Sequence, residues 1–202
     1  DRLAAHAEHP CQIALRELPP EHRAGRHGVG MRLGQVQELA AEPRPQELAE
    51  MAVLSAQAVR RFGIDPKIAV LSHSNFGTSD EESAQRAREA VAILRRDYPE
   101  LEVEGEMQGD AALDQGIRER LFPDSRLKGT ANLLLMPSLD AANIAYNLVK
   151  QLTESLSVGP ILLGVDKPAH IVTPSVTARG IVNMTAIAVT DAQLASERHG
   201  HE

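Results

Sequence analysis

The chain has 202 residues, of which 43% are apolar and 24% charged, so it can bury a substantial core. Its 28 acidic and 21 basic residues give a net charge of −7, which argues against a general nucleic-acid binder because such proteins carry a basic surface. The single cysteine excludes an intramolecular disulfide, and without a secretory signal or an apolar run of roughly 18–20 residues we expect a cytoplasmic protein with no membrane partner.

Residues 1–45 differ in character from the rest of the chain. They hold four of the eight histidines: His6, His9, His22 and His27. Frequent Pro and Gly interrupt any sustained helical or strand pattern there. We therefore predict that 1–45 is an atypical segment, either poorly ordered or mis-framed. The chain also begins with Asp rather than Met, which is typical of a fragment or an incomplete reading frame. Cys11 lies in this segment and is expected to be inert.

A helix, a strand and a second helix are predicted next. Apolar residues recur at helical spacing over 46–62, and Gly63 ends that helix. Ile68–Leu71 is typical of a buried strand, and a polar loop follows it. Ser79 and Glu82 form a capping-box pattern that predicts a helix reaching about Arg96.

The next segment alternates between apolar and acidic residues. Glu102, Glu104 and Glu106 alternate with Leu101, Val103, Gly105 and Met107. This period of two predicts a half-exposed strand with its glutamates on the solvent face. A short helix is expected at about Ala111–Leu121.

Two further buried strands and two less regular regions complete the pattern. Asn132–Met136 and Pro160–Val165 are predicted strands, whereas 179–195 suits either a strand or a helix, and 196–202 is predicted to be a tail. Asp140 is placed to cap a helix with Ile144, Leu148 and Leu152 along one side. Strands that alternate with helices predict an α/β fold with a largely parallel sheet and flanking helices.

Three loops follow predicted strand ends, where parallel α/β sheets collect ligands. They span Ser72–Ser79, Pro137–Asn143 and Gly164–Thr177, and their hydroxyls, amides and glycines suit phosphate or a nucleotide. The simpler alternative is that these are ordinary turn and cap residues.

The histidines give no clear site. His73 has no visible catalytic partner and is better explained as a polar loop residue. His199 and His201 fit a solvated tail better than a metal site, so no metal ligand is predicted.

Several consecutive stretches resemble the phosphate acetyl/butyryl-transferase family. They run from about Gln46 to Gln193 and include PKIAVLSHSNFGTSD, EVEGEMQGDAALD, KGTANLLLMPSLDAANIAYNLVKQL and GPILLGVDKPAHIVTPSVTARGIVNMTAIAV. The resemblance is closest to the phosphotransacetylase-like domain at the C-terminus of bacterial NADP-dependent malic enzymes. It implies a phosphotransacetylase-like fold of the isocitrate/isopropylmalate dehydrogenase type, with 46–195 as its downstream part and the N-terminal side incomplete.

The resemblance implies that active transferases of this family carry the pattern S-R-G-C-S-x-x-D-I-V-N. This chain departs from that pattern at three positions. Thr173 stands for its Ser, Pro174 for its Arg and Gly180 for its Asp. Proline cannot carry the charge that orients phosphate, and glycine cannot act as the base. The comparison therefore implies that no catalytic residue remains and that transfer chemistry is lost.

The resemblance implies an acetyl-CoA-sensing regulatory and oligomerisation domain of a malic enzyme. Ser72, Ser74, Asn75, Asp140 and Asn143 are expected to border the acyl-CoA cleft, with helix capping as the alternative for the last two. The parent would convert malate to pyruvate and CO2, with NADP and Mg or Mn held by upstream domains rather than by this fragment. A homo-oligomer is expected.

Two alternatives remain open. One is a working phosphate acetyltransferase that interconverts acetyl-CoA and acetyl phosphate with a different base. The other is a truncated product with no independent function.

Overall fold

A computed structural model describes residues 42–153, 158–164, 168–172, 174 and 176–199. Most of the atypical segment 1–45 therefore lies outside the described residues, as do Cys11, Thr173 and His201. The chain divides into two compact units, with the boundary after Tyr146. No helix in the described ranges is long and apolar enough to cross a membrane.

The first unit opens with the predicted helix–strand–helix sequence. Helix α1 spans Pro45–Arg61, with Pro in its first turn, where the missing N–H costs no hydrogen bond. Strand β1 spans Lys67–Leu71 and helix α2 spans Glu82–Asp97. The capping box is wrong: the residue before α2 is Glu81, and the Ser79 hydroxyl instead accepts a hydrogen bond from the Glu81 N–H at 3.2 Å.

Three strands form the parallel sheet that the alternating pattern predicts. Strand β2 spans Glu102–Met107 and strand β3 spans Leu133–Leu135, and the order is β2-β1-β3. The β1–β2 ladder pairs Val70 with Gly105 and then Leu71 with Met107, so it skips Glu106. This irregularity lies at the carboxyl end of both strands, beside the loop that follows β1.

The core of the first unit is aliphatic and rich in alanine. Helices α1 and α2 pack against each other. Their buried alanines are Ala49, Ala52, Ala56 and Ala58 on α1 and Ala84, Ala87 and Ala90 on α2. Alanine combines high helix propensity with little bulk, so both helices can pack closely against the elements that cover them.

Between β2 and β3 the predicted single helix is instead two short ones. Helix α3 spans Gly109–Leu113 and helix α4 spans Gln115–Leu121. Arg118 on α4 is fully buried and donates to the carbonyls of Ala111 at 2.8 Å, Leu127 at 3.2 Å and Gly129. Burial lowers the pKa of Arg118 because desolvation disfavours its charged form. The guanidinium therefore links α3 to the segment that leads into β3.

The predicted solvent face of β2 is wrong. Glu104 and Glu106 are both fully buried. Helix α2 packs against this strand, and Arg95 contacts the Glu104 carboxylate while Arg88 contacts that of Glu106. Parallel sheets are usually covered on both faces, and here the alternation records buried ion pairs rather than solvent exposure.

The segment after β3 differs from expectation in its helix cap. Helix α5 spans Leu139–Thr153. Ser138 caps this helix, because its hydroxyl accepts a hydrogen bond from the Ala141 N–H at 3.2 Å. The capping role predicted for Asp140 is therefore wrong. The predicted apolar row on α5 is exposed: Ile144 is 61%, Leu148 57% and Leu152 80% accessible.

The second unit contains one long helix. Helix α6 spans Ala178–His199. The segment 179–195, for which the sequence fits either a strand or a helix, is therefore helical, and the helix continues beyond Ala195. The strand expected at Pro160–Val165 is wrong, because none of the described residues 158–164 is in a strand. Ile161 and Leu162 are nevertheless buried, so the apolar run signals burial without strand pairing.

Candidate functional site

The loop Ser72–Ser79 leaves the carboxyl end of β1, the central strand of the sheet. Its backbone is tied to β2, since the Ser72 N–H donates to the Met107 carbonyl at 2.9 Å and the Phe76 N–H to the Glu106 carbonyl at 2.8 Å. Phe76 has a positive φ of 49°, and its ring stacks on Phe122 with centroids 4.6 Å apart. The loop is therefore held in one shape at the carboxyl edge of the parallel sheet, the edge at which α/β proteins generally bind ligands.

The buried Glu106 carboxylate lies at the centre of this loop. Its Oε1 accepts three hydrogen bonds, from Ser74 Oγ at 2.7 Å, from the Gly77 N–H at 2.9 Å and from Arg88 Nη1 at 2.9 Å. Arg88 also donates to the Ser79 carbonyl at 2.9 and 3.0 Å. Among the described residues, Glu106 Oε2 is buried without a hydrogen-bond partner. The Glu106–Arg88 ion pair thus contacts the loop at Ser74, Gly77 and Ser79.

The loop uses much of its own polar chemistry internally. Ser74 is buried, and its hydroxyl accepts from the Ser79 N–H at 3.1 Å in addition to donating to Glu106. Ser72 Oγ accepts from the Ser74 N–H at 3.2 Å. Asn75 exchanges two hydrogen bonds with Gln108, at 3.0 and 2.8 Å. Ser74 therefore shapes the loop, whereas Ser72 and Asn75 are half-buried at its surface.

The second set of predicted binding residues lies on the first turns of α5. Asp140 and Asn143 are both exposed there, immediately after the segment that follows β3. Strands β1 and β3 are parallel neighbours, so the segments that follow them leave the same edge of the sheet. The five predicted cleft residues thus fall into two segments at one edge, and their contact with a ligand remains a prediction.

His73 is a polar residue of the same loop. It is exposed, and its Nε2 lies 3.1 Å from Ser79 Oγ. No group of three or more His, Cys, Asp or Glu side chains in the described part of the chain could hold a metal ion.

A groove of about 400 Å³ lies within the second unit. Its apolar wall comes from Val172 and from the α6 residues Ile181, Met184, Ala188, Val189 and Ala192. His170 also lines the groove, and its side chain is only 4% exposed. The His170 Nδ1 accepts a hydrogen bond from the Leu162 N–H at 3.4 Å, and the His170 Nε2 lies 3.6 Å from Asp191 Oδ2. Sequence analysis missed this group, because nothing in the spacing of a lone histidine and a distant aspartate links them.

Two of the three positions that depart from the transferase pattern are described. Pro174 is exposed in a turn, and Gly180 lies in the first turn of α6. A Cβ added to Gly180 would lie 2.7 Å from Val176 Cγ2, closer than real Cβ contacts. A side chain at position 180 therefore requires Val176 to move.

A parallel sheet with an ordered polar loop at its carboxyl edge defines an α/β domain, a class that commonly binds ligands at that edge. The model of the family described as "Phosphate acetyl/butaryl transferase" matches residues 37–189, and the chain belongs to that family. The resemblance found from the sequence is thereby confirmed.

Its relatives include both malic enzymes and transferases. This chain is 53% identical over 153 residues to an NADP-dependent malic enzyme of Salmonella typhimurium, and the match covers 75% of this chain and 20% of that protein. It is 40% identical over 157 residues to a phosphate acetyltransferase of Corynebacterium glutamicum, covering 77% of this chain and 48% of that protein. The chain thus spans about a fifth of the malic enzyme and about half of the transferase.

Solved structures give the same fold. The EutD phosphotransacetylase from Staphylococcus aureus superimposes with a TM-score of 0.71 at 35% identity, covering 75% of this chain and 47% of that one. A phosphotransacetylase from Streptococcus pyogenes gives the same TM-score and identity, covering 79% of this chain and 47% of that one. The phosphotransacetylase-like α/β fold is therefore confirmed.

Proposed function

We propose that this chain is the acyl-CoA-sensing and oligomerisation domain of a cytoplasmic malic enzyme, with its transferase chemistry lost. The parent would oxidise and decarboxylate malate to pyruvate, with NADP and a divalent metal bound by upstream domains. The observation that carries the proposal is a family domain, 53% identical to a malic enzyme, with Pro174 and Gly180 at two positions where the transferase pattern has Arg and Asp.

Loss of transfer chemistry is supported at position 180. Acyl transfer between CoA and phosphate requires a base for the thiol proton and a cation for the phosphate. Glycine supplies no base, and a side chain there would require Val176 to move, because its Cγ2 lies 2.7 Å from the position of an added Cβ. Proline at 174 supplies neither charge nor a hydrogen-bond donor.

Ligand binding is supported by the order of the Ser72–Ser79 loop. Its hydrogen bonds to β2 and α2 fix its shape. A preformed loop loses little conformational freedom on binding, which favours affinity. Sensing then requires only that acetyl-CoA bind two states of the parent unequally.

The oligomerisation role is supported by the exposed row on α5. Ile144, Leu148 and Leu152 are spaced at four-residue intervals, so they share one helix face, and each is more than half exposed. A contiguous apolar face of this kind favours association with another protein surface.

Two measurements on the 202-residue chain test the proposal. Isothermal titration calorimetry with acetyl-CoA measures binding, and a thiol reagent measures CoA release from acetyl-CoA and phosphate. Cys11 is the sole cysteine and contributes at most one equivalent of thiol, so any further signal is CoA. The Corynebacterium glutamicum phosphate acetyltransferase is the positive control.

We expect saturable binding of acetyl-CoA without catalytic CoA release. Sustained CoA release would instead establish the transferase alternative. Absence of binding in a chain that melts cooperatively would refute the sensing role, and a broad melt that acetyl-CoA leaves unchanged would favour a truncated product.

A further inference from the structure

The buried Glu106 has a feature that distinguishes it from the other buried carboxylate on its strand. Glu104 and Glu106 are both fully buried, and each contacts an arginine of α2. Glu104 accepts its other hydrogen bonds from the backbone N–H groups of Gly105 and Arg126. Only Glu106 accepts hydrogen bonds from the loop that follows β1.

The three hydrogen bonds to Glu106 Oε1 link the loop at successive points. Ser74 donates its hydroxyl, Gly77 donates its N–H, and Arg88 donates a guanidinium N–H while also holding the Ser79 carbonyl. Hydrogen bonds to an ionised carboxylate are about twice as strong as neutral ones. The carboxylate is therefore the common acceptor that sets where the loop backbone lies.

We infer that Glu106 is the positioning residue of the acyl-CoA loop: its charge holds Ser72–Ser79 in the geometry that binds the ligand, without touching the ligand. This inference rests on the proposed function. It concerns the placement of Ser72 and Asn75, whose side chains are half-buried at the loop surface, by a residue on a neighbouring strand.

The variant Glu106→Gln tests this role with little change in volume. An amide oxygen carries no charge, so its hydrogen bonds to the three donors are weaker than those of the carboxylate oxygen. The substitution also leaves the Arg88 charge without its buried partner. Glu104→Gln is the matched control, because this substitution removes the same charge at the same burial on the same strand. Glu104 accepts no hydrogen bond from the loop Ser72–Ser79.

Two readouts separate positioning from general destabilisation. We expect Glu106→Gln to weaken acetyl-CoA binding about tenfold, the equivalent of one charge-assisted hydrogen bond, and Glu104→Gln to change it less than about threefold. Amide hydrogen exchange at Gly77 and Ser79 should accelerate in Glu106→Gln alone. The double variant Glu106→Gln with Arg88→Gln should bind acetyl-CoA as tightly as whichever of its two single variants binds it more weakly. The two losses should not add, because both residues act through one network.

Equal losses of affinity in the two glutamine variants would overturn the inference, because they would indicate a purely structural effect. Unchanged binding or unchanged exchange at Gly77 in Glu106→Gln would overturn it as well. If the unaltered chain does not bind acetyl-CoA, the proposed function fails, and the exchange rates alone then decide whether Glu106 anchors the loop.

Discussion

The β1–β2 contact at Gly105 gives the sharpest test of the packing. Gly105 has a φ of +146°, and a Cβ placed on it would lie 2.6 Å from the Val70 carbonyl oxygen and 3.1 Å from Val70 Cβ. The Val70 atoms belong to the central strand, so the carbonyl cannot move without disturbing the ladder. Gly105→Ala therefore adds backbone strain and a steric clash together.

The expected cost follows from these two effects. Strain at a sparsely populated φ costs roughly 1–3 kcal/mol, and inserting a methyl into a filled space costs roughly the same. The free energy of unfolding should therefore fall by about 2–6 kcal/mol. With a urea m-value of about 2 kcal/mol per molar, the midpoint should fall by about 1–3 M.

Urea unfolding followed by far-ultraviolet circular dichroism measures this change. Gly109→Ala is the control, because a Cβ there meets no atom within 4 Å and Gly109 is the first residue of helix α3. It should change the free energy of unfolding by less than about 0.5 kcal/mol, so only Gly105→Ala should destabilise the chain measurably. A Gly105→Ala chain within about 0.5 kcal/mol of the unaltered chain would refute the packing at this contact.

Three further outcomes are expected. Arg118→Lys should lower the free energy of unfolding by about 2–3 kcal/mol, because one ammonium cannot serve the separated carbonyls that the guanidinium holds; a loss below about 0.5 kcal/mol in urea would contradict this. Asn132→Ala should cost about 1–2 kcal/mol in the same assay, because its amide bonds the Lys67 N–H at 2.7 Å and the Asp65 carbonyl at 2.9 Å, and no change would show that neither bond stabilises. Leu148→Glu should leave stability within about 0.5 kcal/mol but lower the mass in analytical ultracentrifugation, and an unchanged oligomer would exclude this face.

Much of the first unit could be predicted because its signals are local. Gly63 ends α1 where expected, and the short aliphatic run at Ile68–Leu71 forms the central strand. The sheet is parallel because helices separate its strands, as the alternating pattern required. Elements of this kind depend on neighbours within about one helical turn, which a sequence displays directly.

The burial of Glu104 and Glu106 could not be read from β2 alone. A strand with alternating glutamates fits a solvated face unless another element brings opposite charges to it. Arg88 and Arg95 do so from α2, and their seven-residue spacing places them on one helix face, two turns apart. That spacing was the available signal, but it acquires meaning only when α2 is known to cover β2.

The strand predicted around Ile161 was wrong for a different reason. An apolar run there indicates burial, but burial alone does not distinguish a strand from irregular chain. His170 and Asp191 approach each other only through the fold of the second unit. Contacts of this kind depend on tertiary structure and leave no periodic trace in the sequence.

The buried alanines of α1 and α2 constrain how this domain can diverge. At positions such as Ala52 and Ala87, which have no exposed surface, a larger side chain has no space unless a neighbouring element recedes. Smaller residues offer no route either, because only glycine is smaller and it weakens a helix. Accepted changes at these positions should therefore arrive together with compensating changes in the residues packed around them.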